Sequence, residues 1–310
     1  MDKDTNRLQR ALLTVLRSGL WEREIDDLSV FPLSDEEWEQ IFRISKQQTV
    51  IGLVYQGLQY LPQEVSPPFT LLIRWTAVVD AIERKNKEMN KALADLSRLF
   101  SSHGIEAILQ KGQGVAQMYE KPLLRECGDI DLCFKGRSDM DAAADCIRSQ
   151  KIGIEKMPDG SSLYMWQGVE VEHHTRLLDL HNPFLRGYAE GLERAYGYDT
   201  VTLSSEEMQA TVASPFLNLL LLNLHILKHA LGWGIGLRQL CDMARACYVL
   251  GDKVNKEEME KCSRKLGLDR WNALLSAVLI KHLGLPALSL PYPSVASDAQ
   301  PLIEIVWRGG

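Results

Sequence analysis

The stretch Gly128-Asp129-Ile130-Asp131-Leu132-Cys133-Phe134 decides how the rest of the chain is read. Polar and apolar side chains alternate, as in a half-buried strand, and residues two apart share a face. Asp129 and Asp131 therefore point together, while Ile130, Leu132 and Phe134 enter a core. Two carboxylates about 6–7 Å apart along a strand can converge on one or two divalent cations. Magnesium suits such a pair, because it takes a few carboxylates and completes its octahedron with phosphate oxygens and water. A bare Asp-x-Asp arises by chance about once in a chain of ordinary composition, so its surroundings decide its meaning.

Upstream lies Leu109-Gln110-Lys111-Gly112-Gln113-Gly114, where a short apolar strand (105–109) is expected to turn into a short helix (112–119). Backbone N–H groups at such a turn, with the positive end of the helix, form an anion site. Gly112 and Gly114 let the backbone come close, and Lys111 adds a point charge. The spacing is neither GxGxxG nor GxxxxGKS, so neither of those nucleotide-binding folds is supported. Downstream, Val169-Glu170-Val171-Glu172-His173-His174 puts Glu170, Glu172 and His174 on one face. An antiparallel neighbour would stand about 5 Å away, so one of these glutamates can complete an Asp/Asp/Glu cluster. His173 and His174 point to opposite faces, which argues against a histidine-based zinc site.

A chain of 310 residues suggests about two domains. With 45% hydrophobic residues it can bury a sizeable core, which excludes wholesale disorder. Thirty-five basic against 41 acidic side chains leave a net charge of −6, which argues against a broad nucleic-acid or anionic-membrane surface. Phosphate chemistry in such a chain would run through metal ions rather than through many cations. The six cysteines (127, 133, 146, 241, 247 and 262) form no CxxC and read as buried small hydrophobes of a reducing compartment. The N-terminal residues form an amphipathic helix rather than a secretory signal. The longest apolar run, 216–237, is interrupted by His225, Lys228 and His229, so a core helix explains it better than a membrane span. A cytoplasmic protein without membrane contact is expected.

Residues 1–102 read as a helical region. Ser34-Asp35-Glu36-Glu37 is a capping box, a helix follows at 49–61, and a long helix is expected from Pro68 to Gly104. Residues 103–204 read as an α+β core, with a helix capped near Ser138 and a hairpin around Gln167-Gly168. From residue 205 to 310 the chain reads as helical again. The last apolar residues, Ile305-Val306-Trp307, stand so close to Gly310 that a longer natural chain is expected.

The order Ile-Leu-x-Lys-Gly, then Tyr119, Arg125 and Gly128-Asp129-Ile130-Asp131-Leu132, resembles the bacterial uncharacterised nucleotidyltransferase family of the polymerase-β-like superfamily. The strand Glu172-His173-His174 followed by Arg176-Leu177, and the helical pattern His225, His229, Arg238 and Asp242, are similar too. The resemblance implies a polymerase-β-like core, a small mixed sheet with flanking helices, between the N- and C-terminal helical regions. It also implies Mg2+-dependent (or Mn2+-dependent) transfer of a nucleoside monophosphate from a nucleoside triphosphate to an acceptor hydroxyl, releasing pyrophosphate. Asp129, Asp131 and Glu172 would be the catalytic metal ligands, and Glu172 would also take the acceptor proton. Lys111, Gly112, Gln113, Gly128 and His174 would bind substrate, and Arg125 would neutralise charge developing on the phosphates. The superfamily usually carries Gly-Ser at the phosphate turn, whereas this chain has Gly112-Gln113.

That departure keeps two alternatives open: a degenerate nucleotide-binding scaffold, and an RNA-directed toxin-like enzyme. The acceptor is expected to be a small molecule or a protein. His225 and His229 fit structural roles better than a metal site, because no HExxH is present. Arg238 and Asp242 read as an i,i+4 ion pair. Trp233 is either a pocket aromatic or a core one.

Overall fold

The computed structural model describes residues 3–180, 182–203, 206, 208–232, 234–293 and 297–309. The early helices are α1 (Lys3–Trp21), α2 (Asp35–Gln47), α3 (Ile51–Leu58) and α4 (Phe69–Ser102). Ser34 caps α2 as expected: its hydroxyl accepts from the Glu37 N–H at 3.3 Å, and its own N–H donates to the Glu37 carboxylate at 2.7 Å. Next come α5 (Gln113–Ala116), α6 (Arg137–Ser149) and α7 (Arg186–Tyr196). The chain then closes with α8 (Pro215–Gly232), α9 (Leu237–Leu250), α10 (Lys256–Leu266), α11 (Asp269–Lys281) and α12 (Gln300–Gly309).

Seven strands form one mixed sheet. They are β1 (Ala107–Leu109), β2 (Ile130–Phe134), β3 (Glu155–Lys156), β4 (Ser162–Trp166), β5 (Val169–His174), β6 (Tyr198–Leu203) and β7 (Met208–Ala213). Their order is β3-β4-β5-β2-β1-β7-β6, with β2 parallel to β5, β1 parallel to β7, and every other pairing antiparallel. The expected β4–β5 hairpin is present, and Gln167 and Gly168 both have the positive φ that a two-residue hairpin turn requires.

Three local expectations are corrected. All five residues of β2 are buried, so the strand is not half-exposed; alternation marks two different buried faces. The return to helix comes at Pro215, not at residue 205, because the hairpin of β6 and β7 intervenes. The sequence of β7, Met-Gln-Ala-Thr-Val-Ala, carries little strand signal alone and is held by its antiparallel pairing with β6 and its parallel pairing with β1. Helix α6 starts at Arg137 with Gly136 as its N-cap, not at Ser138.

The chain divides into two compact units: Met1–Arg84 with Tyr119–Glu126 and Ile226–Gly310, and Lys85–Met118 with Cys127–His225. The sheet lies wholly in the second. One of its faces is apolar, where Ile130, Leu132, Phe134, Tyr164 and Val171 cluster with Met89, Leu93, Leu96 and Phe100 of α4 and Met140, Ala143 and Ile147 of α6. Each such side chain contributes about 1.5–3 kcal/mol on full burial. His173 joins this face, wedged edge-on against Phe100, Phe134 and Tyr164 and sharing a 2.7 Å hydrogen bond with the Tyr164 hydroxyl. Desolvation, with Lys156 and His174 adding to it, pushes the His173 pKa down to about 3, so the ring is neutral. The six cysteines are buried and form no disulfide. Among the described residues no helix is long and apolar enough to cross a membrane.

The first unit is tied together by Arg125. Its guanidinium donates to both carboxylate oxygens of Asp242, at 3.1 and 2.6 Å, and the Tyr119 hydroxyl donates to the same carboxylate at 2.7 Å. Breaking a buried pair from one side leaves an uncompensated charge, which costs about 3–5 kcal/mol. Asp242→Ala is therefore expected to lower unfolding stability by about that much. The pair Arg125→Met with Asp242→Leu should lose clearly less. Urea unfolding midpoints check both.

Candidate active site

The site is assembled from the exits of β1 and β5 and the centre of β2. The Gln110 N–H donates to the Asp131 carbonyl at 3.0 Å, extending the β1–β2 ladder one residue past β1. Its side-chain amide donates to the Arg176 carbonyl at 2.8 Å, which links the turn to the chain leaving β5. Lys111 and Gly112 follow. Gly112 has φ +56°, and a Cβ there would stand 3.3 Å from the Asp129 carbonyl oxygen. The turn thus lies against the backbone that leads into β2. Gln113 is buried, and neither of its amide atoms has a hydrogen-bond partner among the described residues. Such orphaned groups are rare in folded proteins and point to a missing partner.

Register does the rest. Because β5 runs parallel to β2, Asp131 stands opposite Glu172 and Cys133 opposite His174. The sequence reading assumed an antiparallel neighbour, and the parallel pairing corrects it. Asp131, Glu172 and His174 share the face opposite the apolar one. His174 Nε2 lies 2.6 Å from Asp131 Oδ1, and its Nδ1 lies 3.5 Å from Glu172 Oε1. Lys111 Nζ is 3.1 Å from the same Asp131 oxygen. Ligating atoms of Asp131, Glu172 and His174 all fall within 4.8 Å of one another, a group close enough to hold a metal ion. Asp129 does not join that close group, whereas the sequence reading placed it there and left His174 out of the ligand set.

The two aspartates titrate in opposite directions. Burial alone would raise the Asp131 pKa; the Lys111 ammonium and the His174 hydrogen bond overcome it and hold the carboxyl well below the usual carboxylate range. Asp129 is raised, first by burial and then by Asp131, with Glu172 and Glu170 adding to it and Lys111 opposing. Environments that push neighbouring carboxyls apart are typical of catalytic sites. The crowding of Asp129, Asp131, Glu172 and Glu170 is a concentration of negative charge that a cation would relieve.

Other expected residues have other places. Gly128 is exposed just ahead of Asp129, with open space where a Cβ would stand. Arg125, expected at the phosphates, spends its guanidinium on Asp242 in the first unit, so the sequence-based role gives way to a structural one. Asp242 is bound by Arg125 and Tyr119, while Arg238 donates to the Glu126 carbonyl at 3.0 Å. His225 and His229 are half-buried on α8, and among the described residues neither belongs to a metal-binding group. Trp233 lies outside the described residues. Gln110 was not anticipated; its place between a strand and a glycine turn was the only sequence signal.

Residues 34–284 match the family described as "Uncharacterised nucleotidyltransferase". The chain belongs to that family. No curated protein and no solved structure matches it. The α+β architecture with its mixed sheet is consistent with a nucleotidyltransferase, and membership makes the protein a transferase. Nucleotidyltransferases typically use a divalent metal. The donors fit a divalent cation, since two carboxylates and one imidazole converge beside a third carboxyl whose ionisation is disfavoured by burial and by Asp131.

Two outcomes follow from this geometry. Gly112→Ala forces a side chain into left-handed backbone against the Asp129 carbonyl, and is expected to lower stability by about 1–3 kcal/mol in urea titrations. The second concerns Glu193 of α7 in the same unit. Burial raises its carboxyl pKa, so the charged form is the disfavoured one in the folded protein. Stability linked to this group is present below the ordinary glutamate range and is lost as pH rises through the raised value. Glu193→Gln should thus be more stable than the parent near neutral pH, and thermal melts across pH should show that advantage vanish in acid.

Proposed function

We propose that this nucleotidyltransferase moves a nucleoside monophosphate from a nucleoside triphosphate to an acceptor hydroxyl, in a Mg2+-dependent reaction that releases pyrophosphate in the cytoplasm. The observation that carries the reading is the parallel register that brings Asp131 and Glu172 side by side, next to the Lys111-Gly112 turn. Asp129, Asp131, Glu172 and His174 would hold the ion. When bound, the metal supplies Lewis-acid stabilisation of phosphate charge, the term that dominates this class of displacement.

The remaining chemistry belongs to the chain. Helix α5 has only four residues, so phosphate contact rests on the open backbone at Gly112 and on Lys111 rather than on a helix macrodipole. Lys111 holds Asp131 in its ionised form and stands ready to transfer its charge to a phosphate oxygen. Glu172 accepts the proton of the attacking hydroxyl. Gln113, buried without partners among the described residues, supplies an amide at the turn.

A thermal-shift panel of the four nucleoside triphosphates, with and without Mg2+, tests this reading. At about 100 times the dissociation constant, one bound ligand should add about 2.7 kcal/mol of stability. The effect should need Mg2+ and disappear in Asp129→Asn and Asp131→Asn, and pyrophosphate release then separates turnover from binding alone. Absence of a shift with every nucleotide would overturn the proposal.

A further inference from the structure

The second unit holds a cavity of about 740 Å³ whose wall includes Cys133 and His174. These two residues stand opposite each other across β2 and β5, two positions beyond Asp131 and Glu172. The cavity therefore opens on the face that carries the carboxylates. His174 belongs to both places, lining the cavity while it hydrogen-bonds Asp131 at 2.6 Å. The rest of the wall comes from the end of β2 and the start of α6, the Asp159-Gly160 turn, the chain leaving β5, helix α7 and Tyr198 at the start of β6. A space of this size falls in the range of small-molecule sites, roughly 300–1,000 Å³.

Its charge is the reverse of the chain's. Lys135, Arg137, Arg176, Arg186 and Arg194 line it against Asp159, Glu190 and Glu193, in a protein of net charge −6. Two of those cations are answered elsewhere, Lys135 by Glu106 at 2.5 Å and Arg137 by Asp141 at 3.1 Å. Among the described residues Arg176, Arg186 and Arg194 make no ion pair, although Glu193 lies near enough to Arg176 and Arg194 to feel both. Guanidinium groups at a cavity rim that make no close ion pair among the described residues suit a ligand that brings its own phosphate or carboxylate, which they bind in bidentate fashion.

Along β2 the Lys111-Gly112 turn lies at the entry, against the Asp129 carbonyl, and the cavity lies at the exit, from Cys133 onward. Strand β2 lies between β1 and β5. The Lys111-Gly112 turn leaves β1 on one side of Asp131, and Glu172, His174 and Arg176 lie on or beyond β5 on the other. A triphosphate at the turn and a second molecule in the cavity would meet at Asp131 and Glu172. We infer that the cavity is the acceptor site, and that the acceptor is a small hydroxyl compound carrying a phosphate or carboxylate held by Arg176 and Arg186. This rests on the nucleotidyl-transfer reading. The acceptor hydroxyl oxygen forms a bond to the α-phosphorus, and its proton passes to Glu172 and on to solvent. The bond from that phosphorus to the oxygen bridging to the β-phosphate breaks, and its electron pair leaves with pyrophosphate.

The test uses the full chain in two arms. In the first, without nucleotide, thermal stabilisation is measured with glycerol 3-phosphate and ribose 5-phosphate, with glycerate and gluconate, and with uncharged glycerol and ribose. At least one anionic compound should stabilise the protein where its neutral counterpart does not, and the phosphate and carboxylate members separate the two anion sources. Arg176→Gln with Arg186→Gln, both exposed positions, should weaken that binding at least tenfold while leaving the melting temperature without ligand unchanged. In the second arm, pyrophosphate release with the stabilising compound should show in the arginine variant an acceptor KM at least tenfold higher, with the Mg2+-dependent nucleotide shift retained. Equal response to neutral compounds, no response to any anion, or indifference to the arginine changes overturns the acceptor site. A missing nucleotide shift in the parent protein, with anion binding intact, instead overturns the transfer reaction and leaves the anion cavity standing.

Discussion

A carboxylate buried in the middle of a sheet has to be answered by positive charge, and Asp131 is that group here. Its side chain is 6% exposed, with Lys111 at 3.1 Å and His174 at 2.6 Å. Withdrawing such an ion from water costs several kcal/mol, while one opposite charge at about 4 Å returns about 4 kcal/mol at an effective dielectric near 20. The Lys111 ammonium roughly balances that penalty, and the hydrogen bond with His174 adds further stabilisation. Lys111 must therefore leave β1 beside the centre of β2, and His174 must sit on β5 in a register that brings it to the same oxygen. The Lys111 turn and the parallel pairing of β2 with β5 both meet that demand.

The same demand divides the sheet into two faces with different chemistry. Ile130, Leu132 and Phe134 go to α4 and α6, and the intervening Asp131 faces the site. On β5 the division falls between adjacent histidines. His173 is neutral and packed among aromatic rings, while His174 reaches the carboxylates. A rigid apolar face behind the strand holds the charged face in place, which suits a reaction that depends on positioning and fixed charge. The cavity that begins at His174 extends the charged face toward a second substrate.

Much of this was legible in local patterns. The Asp-x-Asp strand, the glycine turn, the capping box at Ser34 and the hairpin at Gln167-Gly168 each depend on residues a few positions apart, so their physics is written in the sequence itself. The pair β6 and β7 was not, because β7 has a weak pattern of its own and is a strand by virtue of its pairings with β6 and β1. Arg125 and Asp242 were each noticed for the wrong partner. Each is an ordinary charged residue in sequence, and nothing local says that the two are bound to each other. His174 was placed on the correct face, but its closeness to Asp131 came from a register that neither strand specifies alone.

The sequence by itself determined the alternation that makes β2 two-faced, the residue types able to bind a cation, and the family to which the chain belongs. Alternation, caps and tight turns are short-range consequences of backbone geometry. Tertiary structure alone decided that β5 runs parallel to β2, that Lys111 pairs with Asp131 while Arg125 is bound to Asp242, and that three arginines with no ion pair among the described residues rim a cavity that shares His174 with the site. Those outcomes depend on which distant segments share a low-dielectric neighbourhood. Charge finds its partner there by proximity in space, which spacing along the chain does not encode.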